Sequence, residues 1–174
     1  MQQYQSSDNM TDQFGALAAL AQTDCPERES ALADFYQRWQ SEALVVDKWL
    51  AAQSGSRLPD TLAQVRALTA HPAFDFTNPN KVYALLRNFG ANLVRFNAAD
   101  GSGYAFLAEK IIELDPKNPQ VASRMARCFD RWKKFDANRQ SHARRALEKI
   151  RATSGLSGDV FEVTSRLLGN ETLL

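Results

Sequence analysis

Residues 119–132 read Pro-Gln-Val-Ala-Ser-Arg-Met-Ala-Arg-Cys-Phe-Asp-Arg-Trp, a segment with the start signal and the apolar spacing of an α-helix. Proline at a first helical position costs no hydrogen bond, because the N–H that it lacks would be unpaired there anyway. Asn118 can cap the same helix with its side-chain oxygen. The apolar residues recur at i, i+4, i+7, i+8 and i+11, the spacing of one helical face: Val121, Met125, Cys128, Phe129 and Trp132.

The same periodicity recurs along almost the whole chain, and Pro, Gly, Ser and Asn mark the ends of the periodic segments. No segment shows sustained period-two alternation, so no strand is predicted. Eight or nine helices are expected, at about these residues: 10–22, 26–40, 42–53, 59–70, 79–89, 103–114, 119–135, 137–152 and 157–168.

Short loops between these helices favour antiparallel neighbours, which predicts an all-α fold built of paired helices. Two architectures fit this pattern: a globular bundle, or a superhelical array of helix pairs like an armadillo or HEAT α-solenoid. No repeat has one fixed period, but a spacing of roughly 35–45 residues per helix pair is compatible with a degenerate solenoid.

Composition excludes several classes of protein. Apolar residues make up 44% of the 174 residues, and the net charge is only +1, unlike that of a polycation. No apolar run is long enough to span a membrane, and the polar segment 1–10 does not resemble a signal peptide. Cys25 and Cys128 are expected to be reduced structural thiols of a cytoplasmic protein, with a single disulfide as the minor alternative.

The sequence predicts no complete catalytic or metal site. A catalytic zinc needs three protein ligands, but His71 and His142 are the only histidines, and no HExxH motif is present. The glycine-rich stretch 100–103 is not followed by a Lys-Ser/Thr pair, so it is expected to be a loop before a helix. No nucleophile-elbow motif is present either.

Basic residues dominate between Arg124 and Arg151. This segment can be a solvated helical face or a surface that faces an anion. Nucleic-acid binding is not predicted, because Phe129 and Trp132 belong to the apolar stripe and do not interleave with the arginines as a stacking platform.

Several blocks of the sequence resemble the helical C-terminal domain of bacterial aminopeptidase N, a family of zinc-dependent gluzincin aminopeptidases. The resemblance covers essentially the whole chain in order, and together the blocks are specific although each alone is weak. The blocks are residues 8–20, Phe35–Trp39, Val46–Trp49, Asn78–Lys81, Asp100–Tyr104, Asn118–Arg124 and Leu156–Asp159.

The resemblance implies that residues 1–174 form one helical domain of a larger enzyme. The N-terminal β domain, the catalytic domain with its zinc and HExxH motif, and the small β-sandwich would lie outside this chain. In that family the last domain is a superhelical array that closes over the catalytic domain, forms a wall of an enclosed cavity and controls the access of peptides. The implied partners are the catalytic domain of the same polypeptide and peptide substrates, and a separated fragment could self-associate.

Gln120 and Arg124 resemble cavity-facing positions of the family, and their i, i+4 spacing places them on one helical face. A guanidinium there could pair with a substrate carboxylate or main-chain oxygens; the alternative is that Arg124 braces its helix against a neighbour. The sequence departs from some relatives at Tyr83, where an arginine can face the cavity. The rival function is a free-standing solenoid that binds a protein or nucleic acid.

Overall fold

The computed structural model describes residues 1–169, and the chain divides into two compact units, Met1–Asn92 and a second that begins at Leu93. Within the described part of the chain the regular structure is entirely helical, without a strand. The predicted all-α class is therefore confirmed. Among residues 1–169, no helix combines the length and the apolar character that a membrane crossing requires.

Helices of the first unit pack through apolar faces and are linked by buried polar side chains. Trp49 donates its Nε1–H to Leu32 O at 2.9 Å, and Trp39 donates to Gln13 Oε1 at 2.9 Å. The helices are α1 Gln2–Ser6, α2 Met10–Ala21, α3 Glu27–Trp39, α4 Ala43–Ser54, α5 Thr61–Leu68, α6 Pro79–Val82, a π-helical turn Tyr83–Arg87 and α7 Asn88–Ala91.

The second unit has a core of aromatic and aliphatic side chains from successive helices. Phe96, Tyr104 and Phe129 form a cluster with ring centroids 5.0–5.8 Å apart, and all three are buried. Its elements are α8 Leu93–Phe96, α9 Ser102–Leu114, α10 Pro119–Ala126, short 3-10 turns at Arg127–Phe129 and Trp132–Lys134, α11 Ala137–Arg151 and α12 Gly158–Leu168.

The predicted helix over residues 119–135 differs from the structure in its second half. The α-helix ends at Ala126, and the chain continues as two 3-10 turns. These tighter turns repeat every three residues, which is the spacing between the buried rings of Phe129 and Trp132. Trp132 also donates its Nε1–H to Leu167 O at 3.1 Å, a bond to α12 that no local pattern encodes.

Two short helices, α1 and α8, were not predicted, since four or five residues are too few to show a period. The predicted helix over residues 79–89 contains the π turn, which no sequence pattern indicates. The predicted helix at 59–70 begins later, at Thr61, because Pro59 lies in the turn that precedes it.

Glycine is required where α9 begins. A Cβ at Gly103 would lie 2.4 Å from the backbone oxygen of Phe96 and 2.8 Å from its Cα. Gly101 has φ +74°, and a Cβ there would lie 2.4 Å from the ring of His142. The stretch 100–103 is thus the predicted loop before a helix, and its glycines allow α8 and α11 to approach the start of α9.

We expect Gly103→Ala to destabilise the fold by about 1–3 kcal/mol, because backbone atoms of α8 would have to shift to admit the methyl group. Gly15→Ala is the matched control: Gly15 lies inside α2 with open space around its Cα, so the variant should gain about 0.5–1 kcal/mol from reduced backbone entropy. Chemical denaturation measures both changes. A Gly103→Ala chain as stable as the parent sequence would contradict the tight approach of α8 and α9.

Candidate functional site

Asn118 and Pro119 determine where α10 begins. Asn118 Oδ1 accepts the backbone N–H of Val121 at 3.1 Å, and Pro119 occupies the first helical turn. Both features match the predicted cap. Val121 and Met125 are buried, so the apolar stripe faces the core and the opposite side of α10 faces outward.

Gln120 and Arg124 lie on that outward side, and both are exposed. One turn of helix separates them, as their i, i+4 spacing predicts. The two side chains therefore share one exposed face of α10. Their contact with a substrate stays a prediction, as does the alternative role of Arg124 as a brace.

Asp115 fixes the turn that leads into α10. Its side chain is 3% exposed, and its carboxylate accepts the backbone N–H of Ser157 at 2.8 Å and the Ser157 hydroxyl. Ser157 in turn caps α12 by accepting the N–H of Val160 at 3.3 Å. Since α10 packs against both α9 and α12, this one carboxylate ties together the two elements that support the candidate face.

Asp115→Ala should lower the free energy of unfolding by about 1.5–3 kcal/mol, the cost of losing hydrogen bonds to a charged group. Asp159→Ala is the control, because Asp159 is an exposed residue in the first turn of α12 and should cost no more than about 1 kcal/mol. Thermal or urea unfolding compares them. Equal losses for the two variants would mean that the Asp115–Ser157 bonds do not hold the turn.

The basic segment between Arg124 and Arg151 is partly neutralised. Arg139 pairs with Asp136, and Arg144 and Lys149 lie 3.9 and 3.8 Å from carboxylate oxygens of Glu148 and Glu109. Cations also lie over the ring of the buried Trp132, with Arg144 at 5.2 Å and Lys133 at 5.6 Å from its centroid. The segment presents a cationic outer surface, compatible with either predicted role.

Within residues 1–169, no cluster of three His, Cys, Asp or Glu side chains could hold a metal ion. Cys25 and Cys128 are free thiols. His142 packs against Gly101. His71 belongs to a ring cluster, with its centroid 4.8 Å from that of Tyr36 and 5.3 Å from that of Trp49. The side chains described here therefore do not fit a catalytic zinc.

A cavity that the sequence analysis missed lies in the first unit, between α3, α4 and α5. We call it the α3–α5 cavity; its volume is about 410 Å³. Burial lowers the pKa of the His71 imidazole below its usual value, and His71 Nδ1 accepts the N–H of Ala73 at 3.1 Å. The cavity is lined by Glu29, Leu32, Ala33, Tyr36, Gln37, Trp49, Gln53, Gln64, Ala67, Leu68 and His71.

The predicted helices 26–40 and 42–53 contain Tyr36 and Trp49, and His71 follows the predicted helix 59–70. Nothing in the spacing of these three residues brings them together. Their joint position depends on how three helices pack. The only available signal was the group of three aromatic residues in α3, Phe35, Tyr36 and Trp39.

We expect the isolated chain to bind no stoichiometric zinc and to cleave no amino-acid anilide, because its histidines lie in separate structural contexts and lack further ligands. Metal analysis after dialysis is the measurement. A His71→Ala, His142→Ala double variant is the control, since zinc common to both chains is nonspecific. One zinc per chain with micromolar affinity, lost in the double variant, would overturn this expectation.

Comparison with known proteins places the whole described chain in one family. Residues 1–169 match the family described as a domain of unknown function, DUF3458_C, with ARM repeats. The predicted armadillo-like class is therefore confirmed.

Curated relatives include aminopeptidase N of Escherichia coli K12, 39% identical over 167 residues, and aminopeptidase N of Haemophilus influenzae, 40% identical over 166 residues. Each alignment covers 95% of this chain and 19% of the relative, so the chain spans about a fifth of the length of these relatives.

A solved structure also matches this fold. The crystal structure of Legionella pneumophila aminopeptidase A in complex with aspartic acid superposes with a TM-score of 0.92 at 34% sequence identity. The match covers 98% of this chain and 20% of that chain.

Proposed function

The chain belongs to the DUF3458_C family of ARM-repeat domains and matches the C-terminal domain of aminopeptidase N, and from this we propose that it acts as a non-catalytic domain of a zinc aminopeptidase. In that enzyme it would cap the active-site cavity and control the access of peptides. The parent would remove N-terminal amino acids from peptides in the cytoplasm.

What supports the capping role most directly is the exposed face of α10. A pair of long polar side chains, Gln120 and Arg124, stands on a helix whose other side is buried. Guanidinium groups bind carboxylates in a planar, bidentate geometry. We assign to Arg124 the contact with the carboxylate or main-chain oxygens of a peptide, and to Gln120 a hydrogen bond beside it.

The zinc would belong to the catalytic domain of the parent, since the residues described here offer no ligand set. No chemical step is assigned to this chain. Its contribution would be to orient the peptide and to exclude folded proteins from the cavity.

Exposed apolar side chains support a partner domain in the same polypeptide. Leu93 and Val94 of α8 are 64% and 47% exposed, and contact with a neighbouring domain would remove their apolar surface from water. The catalytic domain of the parent would cover such residues. In a chain separated from that domain, Leu93 and Val94 would be exposed to water, and the chain could self-associate.

Arg124→Ala in the full-length parent should lower kcat/KM for peptides by about tenfold. A hydrogen bond to a charged group contributes about 1.5–3 kcal/mol, and water inside the cavity should keep the loss near the lower value. The loss should fall mainly on KM, because the contact is the same in the ground and transition states. Small anilide substrates lack the peptide carboxylate and should be little affected.

Arg145→Ala, at an exposed arginine of α11, is the matched control and should leave both substrate classes unchanged. Equal kinetics of Arg124→Ala with peptides and anilides, together with a lowered melting temperature, would assign Arg124 to bracing of α10 instead.

A further inference from the structure

The α3–α5 cavity is of a size that binds small groups. Its volume of about 410 Å³ falls within the range of roughly 300–1,000 Å³ that is typical of ligand sites. The apolar side chains of Leu32 and Leu68 contribute to its wall. The cavity lies within the first unit and shares no residue with the face of α10.

Charge in this cavity has one sign. Among its lining residues, all of which lie in the described part of the chain, Glu29 is the only acidic side chain and no lysine or arginine is present. Burial lowers the pKa of the His71 imidazole, which favours its neutral form. Glu29 therefore favours a cation over an anion as a ligand of this cavity.

Aromatic rings form one wall of the cavity. The centroids of Tyr36 and Trp49 lie 4.8 Å apart, and His71 meets Tyr36 edge-on at 4.8 Å. Tyr36 and His71 are both half-buried, so part of each ring is open to the cavity. Aromatic rings attract ammonium and guanidinium groups through their quadrupoles, which adds a second preference for a cation.

A buried amide supplies an acceptor. Gln53 is 5% exposed and lines the cavity, and its Nε2–H donates to Trp49 O at 3.2 Å. Gln53 Oε1 accepts no hydrogen bond from residues 1–169, and it is not among their fully buried unpartnered atoms, so this oxygen is accessible from the cavity. A bound N–H group could donate a hydrogen bond to this oxygen.

We propose that the α3–α5 cavity binds the basic side chain of a peptide, a lysine or an arginine. Glu29 supplies the counter-charge, Tyr36 and His71 supply the ring surface, and Gln53 Oε1 accepts a hydrogen bond from the ammonium or guanidinium. The site is independent of the capping role, because it requires no contact made by Gln120 or Arg124.

The experiment titrates the 174-residue chain with Nα-acetyl-lysine N-methylamide and, in parallel, with the norleucine analogue, which has an apolar side chain and no charge. The readout is the NMR signal of the Trp49 indole N–H, assigned with Trp49→Phe. We expect the lysine probe to bind and the norleucine probe to bind at least about fivefold more weakly. Glu29→Gln should weaken the lysine probe by about two- to fivefold, the range of an exposed ion pair, and leave the norleucine probe unchanged.

Glu27→Gln is the matched control, because Glu27 is an exposed residue of the same first turn of α3 that does not line the cavity. Its affinity for the lysine probe should equal that of the unmodified chain. Since Glu29 is exposed, Glu29→Gln should fold normally, which circular dichroism verifies. Equal binding of the two probes, absence of any shift at millimolar concentration, or equal affinities of Glu29→Gln and Glu27→Gln for lysine would each overturn the proposal.

Discussion

Unpaired backbone groups at helix ends are the constraint that this structure must satisfy throughout. Each helix leaves four N–H and four C=O groups without an intrahelical partner, and short helices have many such ends for their length. In the first unit, the buried Ser56 donates its hydroxyl to Ala21 O at 2.8 Å, and Asn92 donates its side-chain amide to Ser54 O and Ser56 O at 3.2 and 2.6 Å. These bonds join α2, α4 and the end of α7.

In the second unit, different residues satisfy the same constraint, and their hydrogen bonds help to position the outer surface of that unit. Asn97 donates its side-chain amide to Leu93 O at 2.9 Å, and the Asp115 carboxylate accepts the backbone N–H of Ser157 at 2.8 Å. Asp115 holds the turn before α10 against the start of α12, and the apolar residues Val121 and Met125 determine which side of α10 is buried. The exposed face with Gln120 and Arg124 follows from this arrangement.

Sequence periodicity predicted the helices well, because in a helix of three or more turns the spacing of the apolar residues shows which face is buried. Capping residues such as Asn118 indicated where helices begin, because their hydrogen-bond partners lie within the next turn of the chain. The π turn at Tyr83–Arg87 and the 3-10 turns after Ala126 were missed. They depend on packing with other helices, which spacing along one helix does not contain.

The sequence predicted one of the two sites and missed the other. The α10 face was predicted because Gln120 and Arg124 resemble cavity-facing positions of the family, and their i, i+4 spacing places both on one face of one helix. The α3–α5 cavity was not, since Tyr36, Trp49 and His71 come from three segments that only tertiary packing brings within 5.3 Å. Local patterns predict surfaces of single helices, whereas cavities between helices require the fold.

Cysteine accessibility on the exposed face of α10 tests the central claim that this face lines an enclosed cavity in the full-length enzyme. Gln120→Cys would be labelled with a small maleimide and with a bulky polymer maleimide, and mass spectrometry would distinguish it from Cys25 and Cys128. In the isolated chain both reagents should react. In the full-length parent the small reagent should react and the bulky one should be excluded; equal labelling by both would contradict the claim.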